Sequence, residues 1–312
     1  AGAPLPPTPA QMEGLEAALA ELDALEGIEP VKEAVRRLVS QVRVGILREK
    51  EGLPNTLVVP HMLFLGNPGT GKTTVARIVG RCLAGLGVLA HGQLVEAARS
   101  DLVGGYTGQT AIKTAEVINS AEGGVLFIDE AYSLARDTQG DSDNFGLEAI
   151  DTLVKAMEDK RGQLVVIAAG YPVQMMRFVD ANPGLASRFG LTIRFPDYSD
   201  DQMLVILTAM AQSNGYSLDT QAHPEIKNRL KTMKRQAGFG NARLARKWLD
   251  EAMARHAARI DAALSDAVSP SMTELQTLRA EDFATTRDVD GRSGVFSGEQ
   301  GGLAQLEELV GL

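Results

Sequence analysis

The stretch Gly66-Asn-Pro-Gly-Thr-Gly-Lys-Thr73 decides the fold, because it matches the pattern G-x-x-x-x-G-K-[ST] at every fixed position. A short apolar run at Met62–Leu65 precedes it, and a helical pattern at Thr74–Leu86 follows it. This is the strand–loop–helix context that a phosphate-binding loop requires. Glycines let backbone N–H groups surround a phosphate, and the N-terminus of the following helix adds a favourable dipole. The stretch therefore predicts a site for a nucleoside triphosphate.

Two side chains of this loop have specific expected contacts. Lys72 is expected to bridge β- and γ-phosphate oxygens, and the Thr73 hydroxyl is expected to hold Mg²⁺. The other predicted nucleotide contacts are Gly66, Asn67, Pro68, Gly69, Thr70, Gly71 and Thr74. The predicted cofactors are therefore ATP and Mg²⁺.

A second signal is the stretch Gly123-Gly-Val-Leu-Phe-Ile-Asp-Glu130, in which an apolar run ends in two carboxylates. The apolar residues predict a buried strand. Asp129 is expected to hold Mg²⁺ through water, and Glu130 to polarise a water for attack on the γ-phosphate. The alternative is a plain strand end with two acidic residues. The combination with residues 66–73 favours hydrolysis of ATP.

Short apolar runs alternate with helical patterns between residues 61 and 195. The runs are His61–Leu65, Gln93–Ala97, Val125–Ile128, Leu164–Ala169 and Leu191–Phe195. Such runs are typical of buried parallel strands, and their alternation with helices predicts a parallel sheet covered on both faces. Only helical patterns follow, at residues 200–214, 224–236 and 241–264. We therefore expect a large α/β nucleotide-binding domain at 19–198 and a small helical lid domain at 199–285.

The two ends of the chain have linker composition. Four prolines lie within the first nine residues, and we assign residues 1–18 to a Pro-rich linker. Residues 286–312 are interpreted as a linker and the start of a possible second module, because Leu303–Leu312 repeats the pattern of Leu19–Ile28. One module of a tandem protein is one interpretation of this repeat. Two helix-forming stretches of similar composition are the other.

The composition disfavours several classes of protein. The net charge of −9 argues against sequence-independent binding of nucleic acid, which needs a basic face. One cysteine, Cys82, rules out a disulfide framework. The sequence has no run of 18 apolar residues, and residues 1–10 lack the basic and apolar regions that are typical of a signal peptide. We therefore expect a cytoplasmic protein with no membrane span and no nucleic-acid partner.

Six blocks of sequence, in one order, resemble AAA+ ATPases. The blocks are Gly27–Lys32, Gly66–Thr73, Asp101–Thr110, Gly123–Tyr132, Asn182–Phe189 and Gly240–Arg243. Within that family the chain resembles the branch that includes red-type Rubisco activases, stage V sporulation protein K and type VII secretion ATPases. The resemblance implies a P-loop NTPase fold with a five-stranded parallel sheet and a helical lid. It also implies a hexameric ring that performs mechanical work on a client protein.

The resemblance assigns a role to Tyr106, which corresponds to the aromatic residue that grips a polypeptide in the ring's central pore. A tyrosine beside Gly104, Gly105 and Gly108 offers a broad amphipathic contact on a glycine-rich loop. The alternative is that Tyr106 anchors its own loop. The resemblance also places Ile28 and Val31 beside the adenine, although packing alone would explain these two residues equally well.

Two arginines correspond to family residues that contact the γ-phosphate. Arg188 resembles the arginine finger that reaches a neighbouring subunit's nucleotide, and Arg194 is the competing candidate. Arg243 resembles the sensor-2 arginine that acts within its own subunit, and Arg246 is the competing candidate. One position departs from many family members, because Tyr171 stands where a sensor-1 asparagine is common. The residue that would position the attacking water with Glu130 is therefore unassigned.

These observations predict an ATP-driven protein-remodelling ATPase that forms a ring and pulls on a client polypeptide. One alternative is a chaperone of the Rubisco-activase type. Another is an assembly scaffold with weak or no hydrolysis, because of the departure at Tyr171. A nucleic-acid motor is disfavoured, because Asp101–Gln109 contains no lysine or arginine that could line a basic channel.

Overall fold

The computed structural model describes residues 8–54, 59–106, 108–135, 143–180, 182–265 and 269–284. The chain divides into two compact units. The first comprises the residues up to Ala209 together with Met233–Lys247, and the second comprises Met210–Thr232 together with the residues from Trp248 onward. Residues 286–312 lie outside the described residues, so the linker and second module assigned there stay predictions.

The first unit contains a five-stranded parallel sheet with strand order β2-β3-β4-β1-β5. Its strands are β1 (His61–Leu65), β2 (Leu94–Ala97), β3 (Val125–Ile128), β4 (Val165–Gly170) and β5 (Phe189–Arg194). All five coincide with the apolar runs of the sequence to within two residues at either end. The predicted P-loop fold with its parallel α/β sheet is therefore confirmed.

Helices connect the strands and cover the sheet. In chain order up to residue 213 they are α1 (Pro9–Ala24), α2 (Glu29–Lys50), α3 (Lys72–Gly85), α4 (Arg99–Leu102), α5 (Gln109–Ser120), α6 (Asp143–Asp159), α7 (Pro172–Asp180), α8 (Pro183–Ala186) and α9 (Asp200–Ser213), with a 3₁₀ helix at Ala131–Ala135. Every residue of β1, β3 and β4 is buried, which explains why these strands are continuous apolar runs. In β5, at the edge of the sheet, exposed residues alternate with buried or half-buried ones.

The first helix corrects one prediction. Residues 9–18 were assigned to a Pro-rich linker, but α1 begins at Pro9. Thr8 caps the helix, because its hydroxyl accepts the Gln11 N–H while the Gln11 side chain accepts the Thr8 N–H. Proline is also well suited to a first helical turn. Leu15, Ala18 and Leu22 are fully buried, and α1 packs against α3.

The second unit is mainly helical. Its elements include α10 (Ala222–Thr232), α12 (Met272–Gln276), α13 (Ala280–Phe283) and most of α11 (Ala242–Ser265), together with the short parallel pair β6 (Ser217–Leu218) and β7 (Thr277–Leu278). The Arg229 guanidinium lies 4.0 Å from the centre of the buried Trp248 ring. The Asp282 carboxylate is buried and pairs with Arg259 at 3.1 Å. Among the described residues, no helix is both long and apolar enough to cross a membrane.

Candidate nucleotide-binding and hydrolysis site

The phosphate loop connects β1 to α3 in the predicted strand–loop–helix arrangement. Gly69 has φ +70° and Gly71 has φ +92°, values that favour glycine, so both residues permit the turn before α3 begins at Lys72. The Gly66 N–H donates to the Gly170 carbonyl at 3.1 Å, which holds the start of the loop beside the end of β4. The Thr70 side chain is fully buried and its hydroxyl donates to the Asn67 carbonyl at 2.9 Å. Thr70 thus stabilises the loop from within.

The Lys72 side chain bends back, so that its ammonium group binds the backbone of this loop. Its Nζ donates to the Gly66 carbonyl at 2.9 Å and to the Asn67 carbonyl at 2.8 Å. Burial lowers the pKa of Lys72 below its usual value; the negative charge of Asp129 opposes that shift and the positive charge of Arg243 adds to it. The ammonium is thus held where the loop would enclose a phosphate group.

The two carboxylates after β3 lie beside the loop, because β4 alone separates β3 from β1. Asp129 is half-buried, and its N–H donates to the Ala97 carbonyl at 3.0 Å. Glu130 is exposed and has φ +48°, a backbone conformation that residues other than glycine rarely adopt. The Asp129 carboxylate accepts the Glu130 N–H at 3.0 Å. The negative charges of both residues also influence the pKa of Lys72, so these three groups share one site.

Tyr171 follows β4 and therefore lies between the phosphate loop and the residues after β3. It is half-buried, and its ring centre lies 6.2 Å from that of Tyr132. The correspondence of Tyr171 to a sensor-1 residue stays a prediction. A phenol at this place carries one hydroxyl that can donate or accept a hydrogen bond.

The segment before α11 contacts the phosphate loop directly. The Ala242 N–H donates to the Gly69 carbonyl at 3.1 Å, and Arg243 is the second residue of α11. The Arg243 side chain is exposed, and its charge contributes to the lowered pKa of Lys72. The structure thus brings Arg243 into the electrostatic surroundings of Lys72.

An open cavity of about 630 Å³ adjoins the loop and is large enough for a nucleoside. Ile28, which has φ +54°, lines it together with Tyr198. The Tyr198 hydroxyl donates to the Thr70 carbonyl at 3.4 Å, so this wall of the cavity reaches the phosphate loop. Val31 is fully buried and does not line the cavity. Of the two residues predicted beside the adenine, only Ile28 therefore faces this space.

Arg188 lies at the opposite end of the strands from the phosphate loop. It precedes β5, in which Phe189 pairs with His61 at the start of β1, whereas Arg194 pairs with Leu65 next to the phosphate loop. The four residue steps from His61 to Leu65 along β1 span about 13 Å, and this separates the level of Arg188 from that of the phosphate loop. Arg188 Nη2 pairs with a Glu158 carboxylate oxygen at 3.1 Å, and its buried Nε has no hydrogen-bond partner. The chain therefore does not bring Arg188 to its own phosphate loop.

Tyr106 is exposed over 74% of its surface, so its ring is not packed against the body of the protein. Its carbonyl accepts the Gln109 N–H at 3.2 Å, and the Gly104 N–H donates to the Thr110 hydroxyl at 3.0 Å. These bonds hold the backbone of the loop, while the tyrosine side chain stays accessible. The alternative interpretation, in which Tyr106 anchors its own loop, does not agree with this exposure.

Comparison with known proteins identifies the family. The family model described as "ATPase family associated with various cellular activities (AAA)" matches residues 62–197, and the AAA lid domain model matches residues 199–292. Stage V sporulation protein K of Bacillus subtilis (strain 168) is 41% identical over 274 residues, which cover 87% of this chain and 83% of that protein. The chain belongs to the AAA ATPase family. The predicted membership is thereby confirmed, and the protein is an ATPase that binds nucleotide.

Two further comparisons describe this AAA ATPase. The chloroplastic ribulose bisphosphate carboxylase/oxygenase activase of Cyanidioschyzon merolae (strain NIES-3377 / 10D) is 42% identical over 286 residues, covering 89% of this chain and 92% of that protein. The solved FIGL-1 AAA domain in complex with ADP has a TM-score of 0.59 and 18% identity, covering 92% of this chain and 87% of that one. The second likeness concerns the fold alone.

The donor atoms present in this AAA ATPase fit a magnesium ion that is bound together with a nucleotide. Thr73 is half-buried in the first turn of α3, and Asp129 is half-buried after β3. No cluster of three or more His, Cys, Asp or Glu side chains that could enclose a metal occurs in the described parts of the chain. Mg²⁺ commonly takes one or two protein oxygens together with phosphate oxygens and water, so this sparse set suits it.

One residue of the site in this AAA ATPase, Asp197, was not among those predicted from the sequence. This residue lines the cavity and also receives hydrogen bonds from the phosphate loop. One signal could have found it, since Asp197 lies shortly after β5 and ligands bind at the carboxyl ends of parallel strands. Which strand lies next to β1 could not be read from the sequence. The strand order is therefore what makes Asp197 a site residue.

Proposed function

We propose that this AAA ATPase assembles into a hexameric ring and uses hydrolysis of ATP·Mg²⁺ to pull on or unfold a client polypeptide through a central pore. A cytoplasmic location and a place in a tandem protein remain predictions from the sequence. The proposal rests on the chemistry of the nucleotide site, the position of Arg188 and the exposure of Tyr106.

The residues around the phosphate loop have complementary roles in hydrolysis. Lys72 holds the β- and γ-phosphate oxygens and neutralises the charge that develops during transfer. Thr73 and Asp129 would hold Mg²⁺, and the ion would supply further positive charge to the phosphate oxygens. Glu130 polarises the attacking water, and Arg243 contacts the γ-phosphate within the same subunit. Gly66–Thr74 and Ile28 contact the rest of the nucleotide.

The position of Arg188 supports assembly. A guanidinium at the amino ends of the strands cannot serve the phosphate loop of its own chain, which lies about 13 Å away along β1. It can reach a nucleotide held by a neighbouring copy when subunits pack side by side. An arginine supplied in this way makes hydrolysis depend on assembly, because its charge is needed in the transition state.

The observation that carries the proposed action on a protein is the exposed Tyr106. A tyrosine that is 74% exposed on a glycine-rich loop has not been buried for stability. Its ring offers apolar contact and its hydroxyl offers a hydrogen bond, so it can grip varied peptide segments. We therefore assign Tyr106 to client contact.

Substitution of Tyr106 by alanine tests this assignment. We expect Tyr106→Ala to retain client-independent ATP turnover within about twofold and to lose unfolding of a tagged fluorescent protein at least tenfold. The matched control is Ile112→Ala, which removes another exposed apolar side chain, 64% exposed, on the helix after the loop. That control should retain both activities. Parallel loss of turnover and unfolding in Tyr106→Ala would contradict the proposed pore contact.

A second candidate function is chaperone activity on Rubisco, and the 42% identity to a Rubisco activase favours it. In that case the chain would restore activity to Rubisco that is blocked by a tightly bound sugar phosphate, and it would need ATP to do so. A Rubisco reactivation assay with ATP and with a non-hydrolysable analogue tests this candidate directly. An assembly scaffold without turnover is not favoured, since the protein is an ATPase with both Asp129 and Glu130 at its site.

A further inference from the structure

A carboxylate outside the predicted site residues joins the phosphate loop to the segment that carries Arg243. Asp197 is half-buried, three residues beyond the end of β5. Its two carboxylate oxygens each lie 3.0 Å from the Asn67 amide nitrogen of the phosphate loop. The Asn241 amide nitrogen donates to the same carboxylate at 2.8 Å. We call Asn67, Asp197 and Asn241 the amide–carboxylate clasp.

Asn241 is a strong anchor for the segment before α11. It is fully buried and has φ +45°, a left-handed conformation that asparagine tolerates better than most residues. Its amide oxygen accepts the Tyr198 N–H at 2.9 Å, and its amide nitrogen also lies 3.3 Å from the Pro68 carbonyl. The side chain is therefore surrounded by partners on both its donor and acceptor sides. A buried amide satisfied in this way has one well-defined orientation.

Asn67 connects the phosphate loop to Asp197 and to the segment before α11. Its amide oxygen accepts the Gly238 N–H at 3.1 Å, while its amide nitrogen faces Asp197. The backbones also approach closely, because a Cβ on Gly69 would lie 2.3 Å from the Gly240 carbonyl oxygen and 2.7 Å from the Arg243 nitrogen. The start of α11 is thus held directly against the phosphate loop. All residues of this arrangement belong to the first compact unit.

We propose that Asp197 is a positioning residue for γ-phosphate recognition, which acts through Asn241 to hold Arg243 at the phosphate loop. This inference rests on the proposed contact of Arg243 with the γ-phosphate. Two charge-assisted hydrogen bonds to one carboxylate hold both sides of the clasp, and such bonds are about twice as strong as neutral ones. Arg243 follows Asn241 by two residues, so a shift of Asn241 moves the arginine. Removal of the carboxylate charge should therefore weaken binding of ATP more than binding of ADP.

The substitution Asp197→Asn keeps the shape of the side chain and removes its charge. Asn67 and Asn241 both donate from their amide nitrogens to residue 197. The new asparagine offers them one acceptor oxygen in place of two, because its other terminal group is an N–H₂ donor. Binding of ADP and of a non-hydrolysable ATP analogue is measured by calorimetry on the full chain. We expect the Kd of the analogue to rise at least fivefold more than the Kd of ADP. The control Glu21→Gln removes a charge from an ion pair of α1 with Arg81 and should change neither value.

A double substitution shows whether Asp197 acts through Arg243. Arg243→Ala should reproduce the selective loss of analogue binding, and Asp197→Asn combined with Arg243→Ala should lose no more than Arg243→Ala alone. Additive losses, or equal losses for ADP and the analogue, would overturn the inference. If Arg243→Ala itself has no selective effect, the proposed role of Arg243 fails first, and the two failures are thereby distinguished.

A second variant distinguishes a loss of positioning from a loss of folding. Asn241→Gly keeps the positive φ without strain and removes only the side chain from the clasp. It should show the same selective loss as Asp197→Asn, with an unchanged circular dichroism spectrum. If neither variant folds, the clasp stabilises the fold and the proposed positioning role is wrong.

Discussion

Glu130 combines an unusual backbone with an exposed carboxylate at the site. Its φ of +48° lies in a region that costs a non-glycine residue about 1–3 kcal/mol. The buried strand β3 before it and the hydrogen bond from its N–H to Asp129 hold this conformation. This conformation redirects the backbone directly after Asp129. The proposed mechanism gives the two adjacent carboxylates different roles, with Asp129 at the metal and Glu130 at the attacking water.

The substitution Glu130→Gln tests this separation of roles. We expect ATP turnover to fall about 10²- to 10⁴-fold, which is the range for loss of a general base, while ATP binding is retained. Because ATP then persists at the site, the ATP-bound assembly should become more stable in size-exclusion chromatography with light scattering.

The control for this prediction is Glu116→Gln on α5, which removes an exposed carboxylate from the same compact unit. It should keep normal turnover. Unchanged turnover in Glu130→Gln would refute the assignment of Glu130 as the residue that activates water.

At the level of elements, close contact between α1 and α3 extends the sheet domain toward the N-terminus. A Cβ on Gly85 would lie 2.8 Å from the Gln11 carbonyl oxygen and 2.8 Å from the Leu15 Cβ. Glycine at the end of α3 therefore allows the two helix backbones to approach. Gly14, in contrast, is an exposed position within α1, and a Cβ there would meet nothing within 4 Å.

These two glycines predict opposite effects of the same substitution. Gly85→Ala should lower the free energy of unfolding by about 1–3 kcal/mol, because the added methyl group overpacks the contact. Gly14→Ala should raise it by about 0.5–1 kcal/mol, because alanine is the better helix former. Urea denaturation followed by circular dichroism measures both values. A stabilised Gly85→Ala variant would show that α1 does not pack on α3 in solution.

At the scale of the whole molecule, the sheet separates two groups that we propose to act on the same reaction. Lys72 begins α3 after the carboxyl end of β1, whereas Arg188 precedes β5 beside the amino end of β1. In the single chain the Arg188 guanidinium pairs with Glu158 at 3.1 Å. Each proposed active site therefore needs Lys72 from one subunit and Arg188 from the next.

This division predicts complementation between two inactive variants. Lys72→Ala loses its own nucleotide site but still offers Arg188, and Arg188→Ala keeps its nucleotide site but offers no finger. Each variant alone should hydrolyse ATP at least about tenfold more slowly than the native chain, whereas an equimolar mixture should regain a substantial part of the activity. Turnover is measured by phosphate release at protein concentrations that permit assembly. A mixture no more active than the average of its components would contradict a finger supplied by the neighbour.

Much of the site could be predicted from the sequence, because its elements are local. Gly66–Thr73 needs only the strand before it and the helix after it, and Asp129 with Glu130 needs only the apolar run of β3. The alternation of apolar runs and helices was sufficient for the parallel α/β fold. The helix at Pro9 was missed, because four prolines within nine residues resembled a linker and the Thr8 cap was not recognised.

The sequence by itself therefore determined the fold class, the phosphate loop and the acidic pair, all of which depend on neighbouring residues in the chain. Only the tertiary structure paired β5 with β1, which places Arg194 beside the phosphate loop and Arg188 at the other end of the two strands. It also brought Asp197 to Asn67, 130 residues away, and to Asn241, 44 residues away. Such contacts follow from the order of the strands, which local periodicity does not specify.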